Sequence, residues 1–362
     1  MAAATDGAST DAMVIQRPGT SAGTPQVSRA PSREVLQAID GYFAELARQD
    51  RLSGAVLISR NGVTLFERGY GLANRATGER ITPSTRFNLG SMDKFMTRAA
   101  IFQLVGAGRL SMDAAVGEIL PGYPNRDVRE KVTVRHLVEM TSGVPNYWGE
   151  RYEARRTALR TTDDFLALFA DQPLQFEPGT RTAYSNGGYI LLGKIIEQIS
   201  GLSFSDYLSR HITGPARMRS TSLAPPSPGA RGYAVGYTRL QRMGEGRASP
   251  TGPLRRNDFS LPGWGSSAGG GYSTVRDFAR LDAALRAGRL LGAGTRLQLT
   301  ERFLAGSSCS VGWTGGAPGV NTSLSLCPDG TTVIIFLNRD PPLADAATSE
   351  VLRLLGRASP TG

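Results

Sequence analysis

The sequence predicts an α/β chain of the α+β type: an antiparallel sheet, built from both chain ends and flanked by helices, with an inserted all-helical domain. A strand–turn–strand pattern lies near the start, the middle is mainly helical, and further strand-like runs lie near the end. If strands from both ends share one sheet, the helices between them form an insertion. We therefore expect a sheet domain of residues 33–86 and 263–362, and a mainly helical domain of residues 87–262 with a long loop near 225–262.

Residues 1–32 are rich in Ala, Thr, Ser, Gly and Pro and lack the apolar core of a signal peptide. This composition is typical of a disordered tail. The stretch could also be the mature end of an exported protein whose signal peptide is absent from the sequence. Both a cytoplasmic and an exported location therefore stay open.

The elements that follow are predicted from the spacing of apolar residues. A first helix at 33–48 has an apolar face formed by Val35, Ile39, Phe43 and Leu46. Asn61-Gly62 separates two short apolar runs, 54–59 and 63–67, and this dipeptide is typical of a tight hairpin. The later elements expected are helices at 132–138, 162–169, 190–199 and 274–290, strands at 310–312, 321–326 and 331–337, and a closing helix at 344–355.

Composition and charge exclude several classes of function. Hydrophobic residues make up 40% and charged residues 20% of the 362 residues, as in ordinary globular proteins. The formal net charge of +10 comes from scattered arginines without interleaved aromatics, which argues against nucleic-acid binding and is compatible with acidic substrates. No apolar run reaches the length of a membrane span.

A possible nucleophile and its base are spaced as Ser91-x-x-Lys94. Apolar residues at helical spacing follow Ser91, so Lys94 lies one turn further along the same helix. A serine hydroxyl needs a base, and a lysine can be that base if burial and the helix dipole lower its pKa. The alternative is a helix-capping serine followed by a solvated lysine.

A second candidate group is Tyr184-x-Asn186, directly before an apolar helix. A phenol beside an ammonium group can act as a base, because the positive charge lowers its pKa. The alternative is that Asn186 caps the helix and Tyr184 packs. A third candidate is the glycine-rich stretch at 312–319, between two strand-like runs, where Gly315 and Gly316 would let the backbone approach a ligand and offer an N–H to an oxyanion.

The order of these three motifs resembles the serine β-lactamase and penicillin-recognising enzyme superfamily, and is most similar to class C β-lactamase-like serine hydrolases and esterases. The resemblance runs from about residue 35 to 340, and flanking matches include Phe87 to Gly90, Thr141 to Gly143, Phe176 to Thr180 and Ala268 to Ser273. It implies a β-lactamase/transpeptidase-like fold and an acyl-enzyme on Ser91, with no metal and no cofactor. Lys94 and Tyr184 would share the proton transfers, Asn186 would bind Lys94 or the substrate, and the N–H groups of Ser91 and Gly316 would stabilise the oxyanion.

Two residues depart from the family pattern. Trp313 stands where the family usually has Lys or His, so we expect it at the rim of the acyl cleft, favouring neutral, partly apolar acyl groups over β-lactams. The alternative is that Trp313 packs under the loop at 225–262. Asp93 lies within the first motif, and we expect its side chain to point outward.

The expected function is that of a serine hydrolase on small-molecule ester, amide or peptide substrates, esterase-like with weak or no β-lactamase activity. A transacylase or D-peptidase of a biosynthetic or cell-wall pathway is the first alternative, and an inactive binding scaffold the second. We expect no nucleic-acid partner and no membrane span; the oligomeric state is open.

The cysteines and histidines offer no rival site. His136 and His211 lie in helical segments and are expected to pack or face solvent. Cys309 and Cys327 are too few for a disulfide framework, and the sequence favours two buried free thiols. The alternative is a disulfide across a hairpin centred on Pro318.

Overall fold

The fold is described from a computed structural model, which covers residues 31–240, 252–304, 309 and 312–357. Most of the tail predicted at 1–32 thus lies outside the described residues, as does part of the loop predicted at 225–262. Among the described residues, none of the helices combines the length and apolar character needed to cross a bilayer.

The strands are short except for those of the main sheet. They are β1 Gly54–Arg60, β2 Val63–Tyr70, β3 Leu72–Asn74, β4 Glu79–Arg80, β5 Phe87–Asn88, β6 Tyr237–Thr238, β7 Arg255–Arg256, β8 Tyr272–Ser273, β9 Trp313–Ala317, β10 Val320–Leu326 and β11 Thr331–Leu337.

Most of the helices lie between β5 and β8. They are α1 Arg33–Arg48, α2 Asp93–Gly106, α3 Val116–Ile119, α4 Arg126–Lys131, α5 Val134–Val138, α6 Glu150–Arg155, α7 Thr162–Leu166, α8 Asn186–Ser200, α9 Phe204–Tyr207, α10 Val275–Arg286, α11 Ala293–Leu304 and α12 Leu343–Leu354. A 3₁₀ turn, Gly90–Met92, precedes α2, and a π-helical stretch, Leu208–Thr213, follows α9.

Both chain ends build the main sheet, which has the order β2-β1-β11-β10-β9 and is antiparallel throughout. The first strand pairs directly with the last, from Gly54 opposite Leu337 to Arg60 opposite Thr331. The predicted α+β fold is therefore confirmed. The division into a sheet domain and an inserted helical domain stays a proposal, in which α2 to α9 occupy the insertion.

The two faces of the sheet carry separate hydrophobic layers, because successive side chains of a strand point to opposite faces. Val56 and Ile58 face α1 and α12, whereas Leu57 of the same strand faces the larger cluster that contains α2, α8 and α10. This second layer joins the sheet to the helices around Ser91, so the site's supports belong to one continuous core.

The structure corrects the prediction at the glycine-rich stretch. Of the strand expected at 310–312, Gly312 lies outside any strand and the other two residues lie outside the described part. The strand is β9 itself, which pairs with β10 so that Trp313 lies opposite Leu324. Glycines lower strand propensity, but pairing with a long buried neighbour outweighs that local preference. Helix α11, Ala293–Leu304, was not predicted.

The cysteine interpretation favoured by the sequence is wrong. The Cys309 and Cys327 sulphur atoms are bonded, with Cα atoms 4.8 Å apart. The β9–β10 pairing places the turn between Pro318 and Gly319 rather than on Pro318, so the predicted register was off by one residue. The hairpin nevertheless brings the two cysteines within bonding distance.

Candidate active site

The backbone turn before α2 positions Ser91 beside β9. Gly90 has φ of +53°, and a Cβ at this position would lie 3.1 Å from the backbone nitrogen of Gly316. Glycine is therefore required here both for its conformation and for space. In β9, a Cβ at Gly315 would lie 2.1 Å from the Leu89 carbonyl oxygen, so the strand can pass this close only because the residue is glycine.

Lys94 is buried against Ser91 rather than solvated. It is 1% exposed, and its Nζ donates to Ser91 Oγ at 3.1 Å, to Asn186 Oδ1 at 2.7 Å and to the carbonyl of Ala268. Burial lowers the pKa of Lys94 to about 7, although the nearby Asp93 charge opposes this. A large fraction of Lys94 is therefore neutral near pH 7, as a base requires.

Tyr184 also contacts the candidate nucleophile, Ser91. Its hydroxyl lies 2.5 Å from Ser91 Oγ, and Lys94 Nζ lies 4.9 Å from the centroid of its ring. Tyr184 is 47% exposed, yet the protein atoms crowding the phenol displace enough water to raise its pKa to about 12. The expected lowering of this pKa is wrong, because the largest effect on it is desolvation.

Asn186 begins α8 without capping it. Ser185 is the cap, with its Oγ accepting from the Gly188 N–H at 2.9 Å. The Asn186 side chain is thereby free to turn towards Lys94.

Sequence reasoning missed Asn146, which fixes the Tyr184-x-Asn186 segment. Its Oδ1 accepts from the backbone N–H and the side-chain amide of Asn186, at 2.7 and 3.1 Å, and its Nδ2 donates to the Tyr184 carbonyl at 3.0 Å. The only signal in the sequence is its place just after the flanking match at Thr141 to Gly143. The sequence also did not predict the Ala268 carbonyl as an acceptor for Lys94, although Ala268 belongs to the flanking match at Ala268 to Ser273.

Trp313 lies at the start of β9 against the nucleophile helix. Its ring packs edge-on against Phe95 of α2, with the ring centroids 5.8 Å apart. Trp313 is partly exposed and lies on the same edge strand as Gly315 and Gly316. The structure thus groups the three third-motif residues on one strand beside Ser91.

Asp93 points inward, which corrects the prediction. It is 1% exposed, and its Oδ2 accepts from the Gly271 N–H at 2.6 Å, while Oδ1 has no hydrogen-bond partner within the described chain. Burial raises the pKa of Asp93 to about 7, opposed by the Gly271 N–H and by the charge of Lys94. Asp93 and Lys94 are therefore neighbouring buried groups whose titrations are coupled.

The two histidines take no part in this arrangement. His136 Nδ1 accepts from the Thr133 N–H at 3.3 Å at the start of α5, and the His211 ring lies against Tyr207, with centroids 4.6 Å apart. Both are structural in these contacts, as predicted.

The chain is similar to proteins whose names indicate the same superfamily. A family model described as Beta-lactamase matches residues 39–358. Penicillin-binding protein 4* of Bacillus subtilis is 32% identical over 194 residues, which are 52% of this chain and 41% of that protein. This chain thus spans about two fifths of the length of that curated relative.

Solved structures agree on the fold. A penicillin binding protein from Bacillus halodurans superposes with a TM-score of 0.72 at 29% identity, covering 86% of this chain and 98% of that one. The D-amino acid amidase from Ochrobactrum anthropi SV3 has a TM-score of 0.73 at 20% identity, over 89% of this chain and 99% of that chain. At this lower identity the likeness concerns the fold alone.

Proposed function

Since the chain belongs to the Beta-lactamase family, within the serine β-lactamase and penicillin-binding protein superfamily, we propose that it is a serine hydrolase that cleaves ester or amide carbonyls through an acyl-enzyme on Ser91. The observation that carries this proposal is the contact of Ser91 Oγ with a buried lysine whose pKa is about 7. A surface lysine would be almost wholly protonated and could not accept the proton of the nucleophile.

In the acylation step, Ser91 Oγ bonds to the carbonyl carbon and its proton passes to neutral Lys94 Nζ, 3.1 Å away. The negative charge that develops on the carbonyl oxygen would be stabilised by the N–H groups of Ser91 and Gly316. The Gly316 N–H is supported as a donor because its nitrogen would lie 3.1 Å from a Cβ at Gly90, the residue before Ser91.

Collapse of the tetrahedral intermediate breaks the bond to the leaving group, which needs a proton. The Tyr184 hydroxyl and the Lys94 ammonium both lie within 3.1 Å of Ser91 Oγ, and Tyr184 is protonated at neutral pH. Either group can supply that proton. Water, or another acyl acceptor, then attacks the acyl-enzyme, gives up a proton to the same pair and restores Ser91 and both starting protonation states.

We further propose that the activity is esterase-like, with weak or no β-lactamase activity. Trp313 brings no positive charge to the strand that carries Gly316, and its indole presents an apolar face next to Phe95. A neutral, partly apolar acyl group suits such a surface better than the carboxylate of a β-lactam.

A second candidate is a D-peptidase or transacylase that β-lactams acylate. It is favoured by the 32% identity to a protein named for binding penicillin. An inactive scaffold is disfavoured, because the hydroxyl, amine and phenol of the three candidate catalytic residues remain in mutual contact.

The test combines labelling with a substrate panel. A fluorophosphonate probe should add its mass to the wild-type protein and not to Ser91→Ala. Turnover of p-nitrophenyl esters, D-amino acid peptides and a chromogenic cephalosporin then separates the candidates, and we expect the esters to be cleaved fastest. A folded wild-type protein that stays unlabelled would contradict the hydrolase proposal, and a faster cephalosporin or D-peptide turnover would contradict the esterase assignment.

A further inference from the structure

A large cavity whose wall contacts the segments flanking Ser91 carries an excess of positive charge. Its volume is about 1080 Å³, and it is bordered mainly by residues 225–236 and 256–263. We call it the Arg-lined cavity. The charged side chains that line it are four arginines and two acids: Arg80, Arg156, Arg231, Arg256, Glu79 and Asp258.

Two of the four arginines form hydrogen bonds within the cavity wall. Arg256 donates to both carboxylate oxygens of Asp258, at 2.7 and 3.3 Å. Arg156 donates to the Leu261 carbonyl at 2.8 Å and to the Asp258 carbonyl at 3.3 Å. These contacts account for the local structure of the wall.

The guanidinium groups of Arg80 and Arg231 are different. Both residues are exposed, and within the described residues neither guanidinium has an acidic partner. Glu79, the other acid of the lining, accepts from the Gly232 N–H at 2.9 Å. The cavity therefore has two cations whose charge the described protein leaves uncompensated.

The wall of the Arg-lined cavity contacts segments that lie next to Ser91 in the chain or in the fold. Pro262 of the cavity lies against Gly270, where a Cβ would be 3.3 Å from the proline ring, and the Gly270 N–H donates to the Gly90 carbonyl at 3.1 Å. On the other side, Asn257 Nδ2 donates at 2.8 Å to the carbonyl of Pro318, in the turn that ends β9. Wall residues of the Arg-lined cavity thus contact the segments next to Ser91 and the turn that follows β9.

We propose that the Arg-lined cavity binds an oxyanion at the non-reacting end of the acyl substrate, while the reacting carbonyl lies at Ser91. This inference rests on the proposed function and adds the substrate class to it. Guanidinium groups suit carboxylate and phosphate oxygens because they donate two parallel hydrogen bonds. Tyr233 and Tyr272 line the same cavity, with ring centroids 5.6 Å apart, and would contact the apolar linker of such a substrate.

The neutral surface at Trp313 and the charged cavity serve different parts of one substrate. Trp313 lies at the opposite end of β9 from Pro318, so the two features are separated along the strand. The proposal therefore predicts a neutral group near the reacting carbonyl and an anion some distance from it.

The test uses p-nitrophenyl monoesters of succinate, adipate and suberate, which end in a carboxylate, beside the same esters capped as neutral methyl esters. A third set ending in a phosphonate distinguishes the two kinds of oxyanion. We expect wild-type kcat/KM to favour at least one chain length of an anionic set over its neutral counterpart by about tenfold, and this ratio to fall with added NaCl.

Arg80→Gln/Arg231→Gln should lower that ratio by about tenfold. The matched control, Arg33→Gln/Arg210→Gln, removes two exposed arginines outside the cavity and should leave the ratio unchanged. A wild-type ratio of one or less at every chain length, or an equal fall in both double variants, would overturn the proposal.

Binding of suberate to Ser91→Ala, measured by isothermal titration calorimetry, tests the cavity without catalysis. We expect binding that the Arg80→Gln/Arg231→Gln changes weaken, and its absence at millimolar suberate would also overturn the proposal. Suberate binding without turnover of any ester would instead show that the anion site exists and that the proposed hydrolase function fails.

Discussion

Asp93→Asn should shift the pH dependence of the enzyme, because this carboxylate is buried beside the proposed base. Asn has nearly the same shape and can still accept from the Gly271 N–H, so the change removes mainly the charge. The Asp93 charge raises the pKa of Lys94. Without it, the pKa of Lys94 should fall further.

The size of the shift follows from Coulomb's law. Two charges a few ångströms apart, at an effective dielectric constant of about 20, interact by a few kcal/mol, which corresponds to roughly two pKa units. Asp93 has a pKa of about 7 itself and is only partly ionised where Lys94 titrates. We therefore expect the acid limb of kcat/KM to move down by about one pH unit.

The assay is kcat/KM for a neutral p-nitrophenyl ester between pH 5 and 9. Asp282→Asn is the matched control, since Asp282 is 4% exposed but pairs with Arg286 and Thr332, outside the site. Its acid limb should match that of the wild type. An unchanged or raised midpoint in Asp93→Asn would refute the coupling between Asp93 and Lys94.

The same variant should change stability with a defined sign. The pKa of Asp93 is raised in the folded state, so ionising it costs folding free energy: the cost is absent below the unfolded pKa near 4 and complete above about pH 7. Three pKa units correspond to a ceiling of about 4 kcal/mol. The Asn side chain of the variant would border a cavity of about 150 Å³ whose lining includes Ser and Thr residues. Burying the polar amide there also costs free energy, so the gain in stability should be smaller than this ceiling. We expect the Tm of Asp93→Asn to exceed that of the wild type at pH 8 and to equal it near pH 4; a lower Tm at pH 8 would contradict the assigned cost.

Three further predictions concern the other site residues and the cysteines. Lys94→Ala and Tyr184→Phe should each lower kcat by about a thousandfold or more without loss of fold by circular dichroism, since the groups act as one unit; retention of wild-type turnover by either would exclude that residue from the proposed proton transfers. Trp313→His should raise the ratio of cephalosporin to ester turnover by about tenfold, and an unchanged ratio with a lowered Tm would assign Trp313 to packing against Phe95 alone. Thiol titration under denaturing, non-reducing conditions should find no free thiols at Cys309 and Cys327, whereas two would contradict the disulfide.

Local patterns in the sequence predict the architecture and identify the candidate residues. Apolar spacing alone located α1 at its observed bounds, and the Asn-Gly hairpin and the two late apolar runs identified four strands of the main sheet. These signals are local, since each depends on residues a few positions apart. The first two motifs likewise named Ser91, Lys94, Tyr184 and Asn186, which the structure brings into contact.

The charge states of these groups and their surroundings depend instead on contacts between distant segments. Asp93 turns inward because its hydrogen-bond donor, Gly271, comes from a segment 178 residues away. The pKa of Tyr184 rises rather than falls because the surrounding chain displaces water, an effect that depends on packing from distant segments. Burial, desolvation and the clustering of arginines arise from segments that meet only in the folded protein, and the local pattern of the sequence does not encode them.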